Sequence, residues 1–523
     1  MVADSGISLR SSALILVLSG LTLLLGFAVQ VALAATLGTS RAMDIFLVAV
    51  TLPTLLATVS LAVSTSFLVP TLNERLNTRG AEAATALAAR AVRYGGAIAF
   101  VVVAGLEAGA GPVVRLAAPG LEPDAAADAV ALLRIMLIGS FFDMLRGVLS
   151  AVQYSRERFL VPQLVPSFNH ALLLLSALFL LKPLGLDGLA VGWAVGSLAM
   201  FVALLPALRG LRLFRSTTGT SGSDPGLARA GFLPILVVAG LTQLAPVTDR
   251  LVASLLPVGS ISYLGYGSKM LEILMRMVPM AVTLSAFPVL SRQAACGDRD
   301  GLRRTTVAGL RWVLLGAVPL ALTVFVFRAQ IVGVLFQRGA FDAAATRNVA
   351  QACAWYAVAF VPAAVTYFLS PVFLAVKKPW FLAGVGLVSL ALTATLDFAF
   401  TRIWGFIGVA LAFVVVSVAQ VAILGGHLQG RRRIFSEARL LPFAAQVGGA
   451  CVAMAATWAV AWPLTSAWSA RFPAVSLGVS SGAGLVVFIR VLWWFRNPDL
   501  HAALTGLAGR LGRPWRSVRS ENG

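Results

Sequence analysis

The chain has 523 residues, 59% of them hydrophobic and only 12% charged, about half the charged share of an average soluble domain. That much apolar surface cannot be hidden in one or two soluble cores, and the disordered, collagen-like and disulfide-stapled classes fail on the same numbers. The excess of 41 Lys and Arg over 21 Asp and Glu suits either nucleic acid or a membrane surface, and the placement of the charges decides between them.

Runs of about 20 apolar residues, the length that crosses a bilayer, occur near 11–37, 44–71, 84–110, 126–153, 159–181, 186–208 and 230–256. They continue near 260–290, 306–336, 345–375, 380–401, 404–428, 440–463 and 473–495. The first is too long for a signal-peptide core and reads as a retained span. With a cytoplasmic N-terminus, the inner segments hold 24 Lys and Arg and the outer segments 7. This alternation supports an even span count and cytoplasmic N- and C-termini. It also accounts for most of the positive charge without nucleic acid.

The longest polar connection, 209–229, is rich in Ser, Thr and Gly and reads as a flexible cytoplasmic linker. It separates an N-terminal six-helix bundle (1–208) from a second one (230–428), followed by two additional spans (429–495) and a basic tail (496–523). The expected fold is all-α and integral to the membrane. It has about fourteen transmembrane helices, with two six-helix bundles around a central cavity plus two C-terminal helices, as in transporters built from repeated halves. No internal repeat is visible in the letters.

Ionisable residues inside spans are costly and face a cavity or a partner. Span two opens with Asp44, span four carries Asp143 and Arg146 three residues apart, and span five has Asn169 and His170. Span seven has Asp249 and Arg250, span eight Lys269, Glu272 and Arg276, and span eleven Asp397. Asp143 and Arg146 suit a helix-packing ion pair, and His170 a bundle hydrogen bond. The spacing of Lys269, Glu272 and Arg276 places the carboxylate beside both cations, which leaves Lys269 open to an anionic ligand. Carboxylates such as Asp249 and Asp397 suit a hard cation or a proton, with helix packing as the alternative. The cysteines, Cys296, Cys353 and Cys451, lie far apart and suggest neither a metal nor a redox site. No nucleophile, phosphate-loop or metalloprotease motif is present, so an enzyme is not expected; no selectivity-filter loop is present either. A transporter remains.

The stretches LGFAVQVALAATLGTSRAMDIFLVAVTLPTLL (25–56), SFLVPTLNE (66–74), APVTDRLVASLLPVGSISYLGYGSKMLEI (245–273), FPVLSR (287–292) and LFQRGAFDAAAT (335–346) resemble the MurJ/MviN lipid II flippases of the multidrug/oligosaccharidyl-lipid/polysaccharide exporter superfamily. The resemblance runs from about residue 10 to 430. It implies translocation of a polyprenyl-diphosphate-linked saccharide, lipid II or a related envelope-glycan precursor, from the inner to the outer leaflet by alternating access.

Residue by residue, the resemblance assigns substrate binding to Lys269, Glu272 and Asp44, and Arg250 is a further basic residue that would hold the headgroup. It assigns a sodium site to Asp249, Asp397 and Thr393, with sodium or a proton as coupling ion and no other cofactor. Three cavity arginines of the family are replaced here by Leu23, Val29 and Ala57, which leaves the identity of the glycan open. Two other readings stand beside this one. The first is a cation-coupled exporter of drugs or metabolites, and the second a scaffold that recruits envelope-synthesis enzymes.

Overall fold

The computed structural model describes residues 9–209, 225–432, 440–469, 471–495 and 497. Most of the linker expected at 209–229 and all but Asn497 of the tail expected at 496–523 lie outside the described residues. Among those described, every regular element is helical.

In chain order these are α1 (Leu9–Leu37), α2 (Arg41–Val63), α3 (Val69–Ala108), α4 (Ala110–Ala117), α5 (Pro123–Ser155), α6 (Leu160–Leu164), α7 (Pro166–Leu175), α8 (Leu181–Leu184) and α9 (Leu186–Leu204). There follow α10 (Pro225–Ser254), α11 (Ser260–Met277), α12 (Pro279–Ala295), α13 (Arg299–Phe336), α14 (Ala343–Ala375), α15 (Pro379–Trp404), α16 (Ile407–Arg432), α17 (Leu440–Ser469) and α18 (Pro473–Trp494). Wider π turns at Ser64–Leu68 and Ser176–Leu180 join α2 to α3 and α7 to α8.

Thirteen helical stretches are long and apolar enough to cross a bilayer by length and composition. One of them, Arg41–Ala108, has 68 residues. That is about 100 Å of helix at 1.5 Å per residue, more than three times a hydrocarbon core. Gly80 interrupts it with φ 83° and ψ 177°, a conformation essentially confined to glycine. The stretch therefore comprises two spans, which agrees with about fourteen. Gly80→Val is expected to cost about 1–3 kcal/mol, read as a lower thermal midpoint of the detergent-solubilised protein.

The repeat that the letters conceal shows in the loops. Among the described residues, eight of the nine with positive φ pair as Gly38 and Gly259, Gly80 and Gly297, Glu157 and Lys377, and Gly185 and Gly405, each pair about 220 residues apart; Gly339 has no such counterpart. The hydrogen bonds match as well. Arg158 N–H donates to Gln153 O at 3.0 Å where Lys378 N–H donates to Phe373 O at 2.9 Å, the six-residue closure that ends a helix on a left-handed residue. Gly188 N–H donates to Gly185 O where Gly408 N–H donates to Gly405 O.

Packing divides the chain into two compact units, neither continuous in sequence. The first comprises 1–266, 335–349 and 379–412; the second comprises 267–334, 350–378 and 413–523. In the first, α5 packs against α2, α3 and α9, and α10 packs against α15 and α2. Small residues permit this: a Cβ added at Gly147 would lie 2.7 Å from Ser60 Oγ, and one at Gly139 2.8 Å from Ala194 Cα. In lipid, where apolar burial contributes little, such close backbone approach and hydrogen bonds such as Ser60 Oγ to Met144 O (2.8 Å) hold helices together. In the second unit α17 packs along α18, and Phe443, Met454, Trp458 and Phe488 form a core with Phe327.

Candidate functional site

Within the first unit, the loops that follow odd-numbered spans are fastened to one another. Asp44, in the first turn of α2, is 4% exposed and accepts from Gly259 N–H at 2.6 Å, Ser262 N–H at 2.8 Å and Ser262 Oγ at 2.5 Å. These groups form the start of α11, whose first N–H groups have no partner within the helix and carry its positive dipole end. Asp44 is thus a capping carboxylate supplied by another helix. Beside it, Tyr266 Oη donates to Gly38 O at 3.1 Å, and Ala340 N–H donates to Ala35 O at 2.8 Å.

The loop 337–342 closes this clasp. A Cβ added at Gly339 would lie 2.2 Å from Ala35 O, and one at Gly38 2.3 Å from Ala340 O. Tyr266 is ringed by Phe336 at 5.2 Å and Phe341 at 5.4 Å between ring centroids. Asp342 Oδ1 accepts Ala345 N–H at 2.7 Å and so starts α14. Gly120 N–H donates to Ser254 Oγ at 3.2 Å, and Arg41 pairs with Glu122. With Thr39→Cys as a reporter in a chain lacking its native cysteines, Gly339→Val is expected to raise thiol labelling several-fold by forcing the loop off α1. Unchanged labelling in a folded variant would show that the loop does not hold this end shut.

The second cluster of the first unit joins α10 to α15. Asp397 is fully buried, and neither of its carboxylate oxygens has a hydrogen-bond partner among the described residues. Asp249 on α10 reaches it closely enough for the two carboxyl groups to interact directly. Thr393, one turn before Asp397, is buried as well. Arg250 turns to α2, where its Nη1 bonds Thr51 Oγ1. A fully buried carboxylate adjoining a half-buried one, with so few donors, requires a bound cation or a proton. Oxygen ligands of this kind fit a hard cation such as sodium, which Asp249, Asp397 and Thr393 could hold.

In the second unit, Lys269 Nζ donates to Glu272 Oε2 at 2.8 Å and Arg276 Nη2 donates to Glu272 Oε1 at 2.9 Å. The three side chains are 43%, 46% and 55% exposed, so Lys269 stands more open than a position inside a span suggests. One carboxylate between two cations leaves the cluster with a net positive charge. Of the replaced family arginines, Val29 is packed in the core while Leu23 is open.

The structure thus brings Asp249 to Asp397, Arg250 to Thr51, and Lys269 to Glu272 and Arg276. It commits Asp44 to the start of α11. Sequence reasoning quoted the 337–342 loop, Gly259 and Ser262 only within stretches that carry the family resemblance, and gave none of them a role. The Gly-Ser-Ile-Ser run at 259–262 carries a helix-start signal, but its carboxylate partner lies 215 residues away.

The family model described as lipid II flippase MurJ matches residues 33–479. A lipid II flippase MurJ of Burkholderia cenocepacia is 30% identical over 464 residues, covering 84% of this chain and 88% of that protein. A probable lipid II flippase MurJ of Vibrio cholerae is 26% identical, covering 95% of this chain and 98% of its own. Among solved structures, a lipid II flippase MurJ in an inward closed conformation superposes with a TM-score of 0.76 at 19% identity, over 93% of this chain and 99% of that one. An inward-facing multidrug resistance transporter of the MATE family gives 0.67 at 14% identity, over 80% of this chain and 95% of that one. At those identities the two structures bear on the fold alone.

Proposed function

The chain belongs to the lipid II flippase MurJ family, and on that premise we propose that it carries a polyprenyl-diphosphate-linked saccharide from the inner to the outer leaflet, making and breaking no covalent bond. The diphosphate cannot cross about 30 Å of hydrocarbon unaided. The observation that carries this reading is the Lys269–Glu272–Arg276 cluster, a net cation held open on a membrane helix and suited to a phosphate oxygen. Arg250 supplies a second cation on α10.

Alternating access requires one end to close while the other opens. The positive-inside alternation supports cytoplasmic termini, and with that orientation the clasp around Asp44 lies on the outer side. Asp44 then serves the reaction by holding that side shut. Asp249, Asp397 and Thr393 hold the coupling ion, sodium or a proton, whose binding biases the helices that carry them.

The packed Val29 and open Leu23 point away from the headgroup chemistry that the family's arginines supply. Lipid II and a related envelope glycan therefore differ in how Lys269 must serve them, because lysine offers a point charge where arginine offers a fork. Lys269→Ala is expected to lower transport of a fluorescent lipid-linked saccharide in proteoliposomes at least ~10-fold while leaving the thermal midpoint unchanged. Wild-type rates from the folded variant would remove Lys269 from the site.

A further inference from the structure

A second guanidinium lies buried in the first unit, on the face of α5 that meets α9. Arg146 has a side chain 10% exposed and Asp143 one 2% exposed. Arg146 Nε donates to Asp143 Oδ1 at 2.9 Å, and Ser197 Oγ on α9 donates to Asp143 Oδ2 at 2.8 Å. Asn169 of α7 completes the surround, its Nδ2 donating to Trp193 O at 3.2 Å and to Ser197 Oγ at 3.5 Å. Both carboxylate oxygens are thereby occupied. The Nη1 and Nη2 groups, by contrast, meet no acceptor among the described residues and are not sealed from solvent.

Nearby polar groups are also unmet. Ser150 Oγ, one turn along α5, is buried with no hydrogen-bond partner among the described residues, as are Trp193 Nε1 on α9 and Gln153 Oε1 two turns along α5. Donors outnumber acceptors in this set, even with the Gln153 amide free to present either end.

We infer that the Nη edge of Arg146, oriented by Asp143 through Nε, is a binding site for a phosphate-type oxyanion. A cation is excluded by the guanidinium. The paired Asp143 cancels the net charge, which makes the group tolerable at this depth and leaves the two-nitrogen edge that matches two phosphate oxygens. The assignment rests on the proposed diphosphate-linked substrate for its physiological ligand. Inorganic pyrophosphate offers the same chemistry from a second source.

The test is binding to the full chain in nanodiscs, with a short-chain polyprenyl-diphosphate saccharide and inorganic pyrophosphate as separate probes. Arg146→Gln should weaken binding ~10- to 100-fold, and Arg146→Lys, which keeps charge and loses the fork, should recover only part of it. Should Arg146→Gln fail to fold around an unpaired Asp143, the double variant Asp143→Asn with Arg146→Gln keeps the site neutral and should show the same loss. Loss of the lipid probe supports the site together with the proposed substrate. Wild-type binding of pyrophosphate alone, lost in the variants, supports the site and counts against the lipid as its ligand. Folded variants that bind the probes as wild type does, or a wild-type chain that binds neither, overturn the inference.

Discussion

Asp44→Ala is expected to open the outer end. The carboxylate accepts three hydrogen bonds from the start of α11, and its removal strands two buried backbone N–H groups. Hydrogen bonds to a charged group contribute about 1.5–3 kcal/mol each, and one unmet buried donor costs about as much. A loss of about 3 kcal/mol from the clasped state would shift the ratio of open to clasped molecules by about 150-fold. The readout is thiol labelling at Thr39→Cys, rising steeply in Asp44→Ala and less in Asp44→Asn, which keeps one carbonyl acceptor. Transport should fall in the same order. Labelling that stays at the wild-type level in a folded Asp44→Ala protein would mean that the clasp does not depend on this carboxylate.

Asp397→Asn is expected to abolish binding of the coupling ion proposed for this site. Two carboxylates in direct interaction, one of them fully buried, repel each other unless a cation or proton lies between them. The neutral amide removes that repulsion, so the variant should be more heat-stable than wild type in sodium-free buffer. Wild type should gain stability as sodium is added, by about 2.7 kcal/mol at a hundredfold excess over the dissociation constant, and the variant should gain almost none. Transport by the variant should lose its dependence on sodium. If stability and transport in wild type ignore sodium and follow pH, the ion at this site is a proton; if they ignore both, the pair is helix packing.

The span count was legible because a run of about 20 apolar residues has few other uses. The salt bridges of Glu272 were legible too, since spacings of three and four fix neighbours on a helix, and both bonds are present. How open Lys269 stands was not, because exposure depends on what packs around α11. Asp44 carried a polar signal, but its partners come from a loop more than 200 residues on, a distance over which one sequence specifies no pairing. Asp249 and Asp397 were legible as intramembrane carboxylates that suit a cation, a proton or helix packing, and the family resemblance narrowed them to a sodium site with Thr393. The repeat stayed hidden for another reason. One pair of its left-handed positions is Glu157 and Lys377, where glycine would have flagged the turn and a charged residue does not.

The most direct measurement is translocation by the purified chain in proteoliposomes loaded with lipid II, scored as the fraction reaching the opposite leaflet over time. The account predicts protein-dependent translocation that Lys269→Ala and Asp397→Asn both reduce. Translocation no faster than in protein-free vesicles, for lipid II and for other polyprenyl-diphosphate saccharides alike, would contradict it.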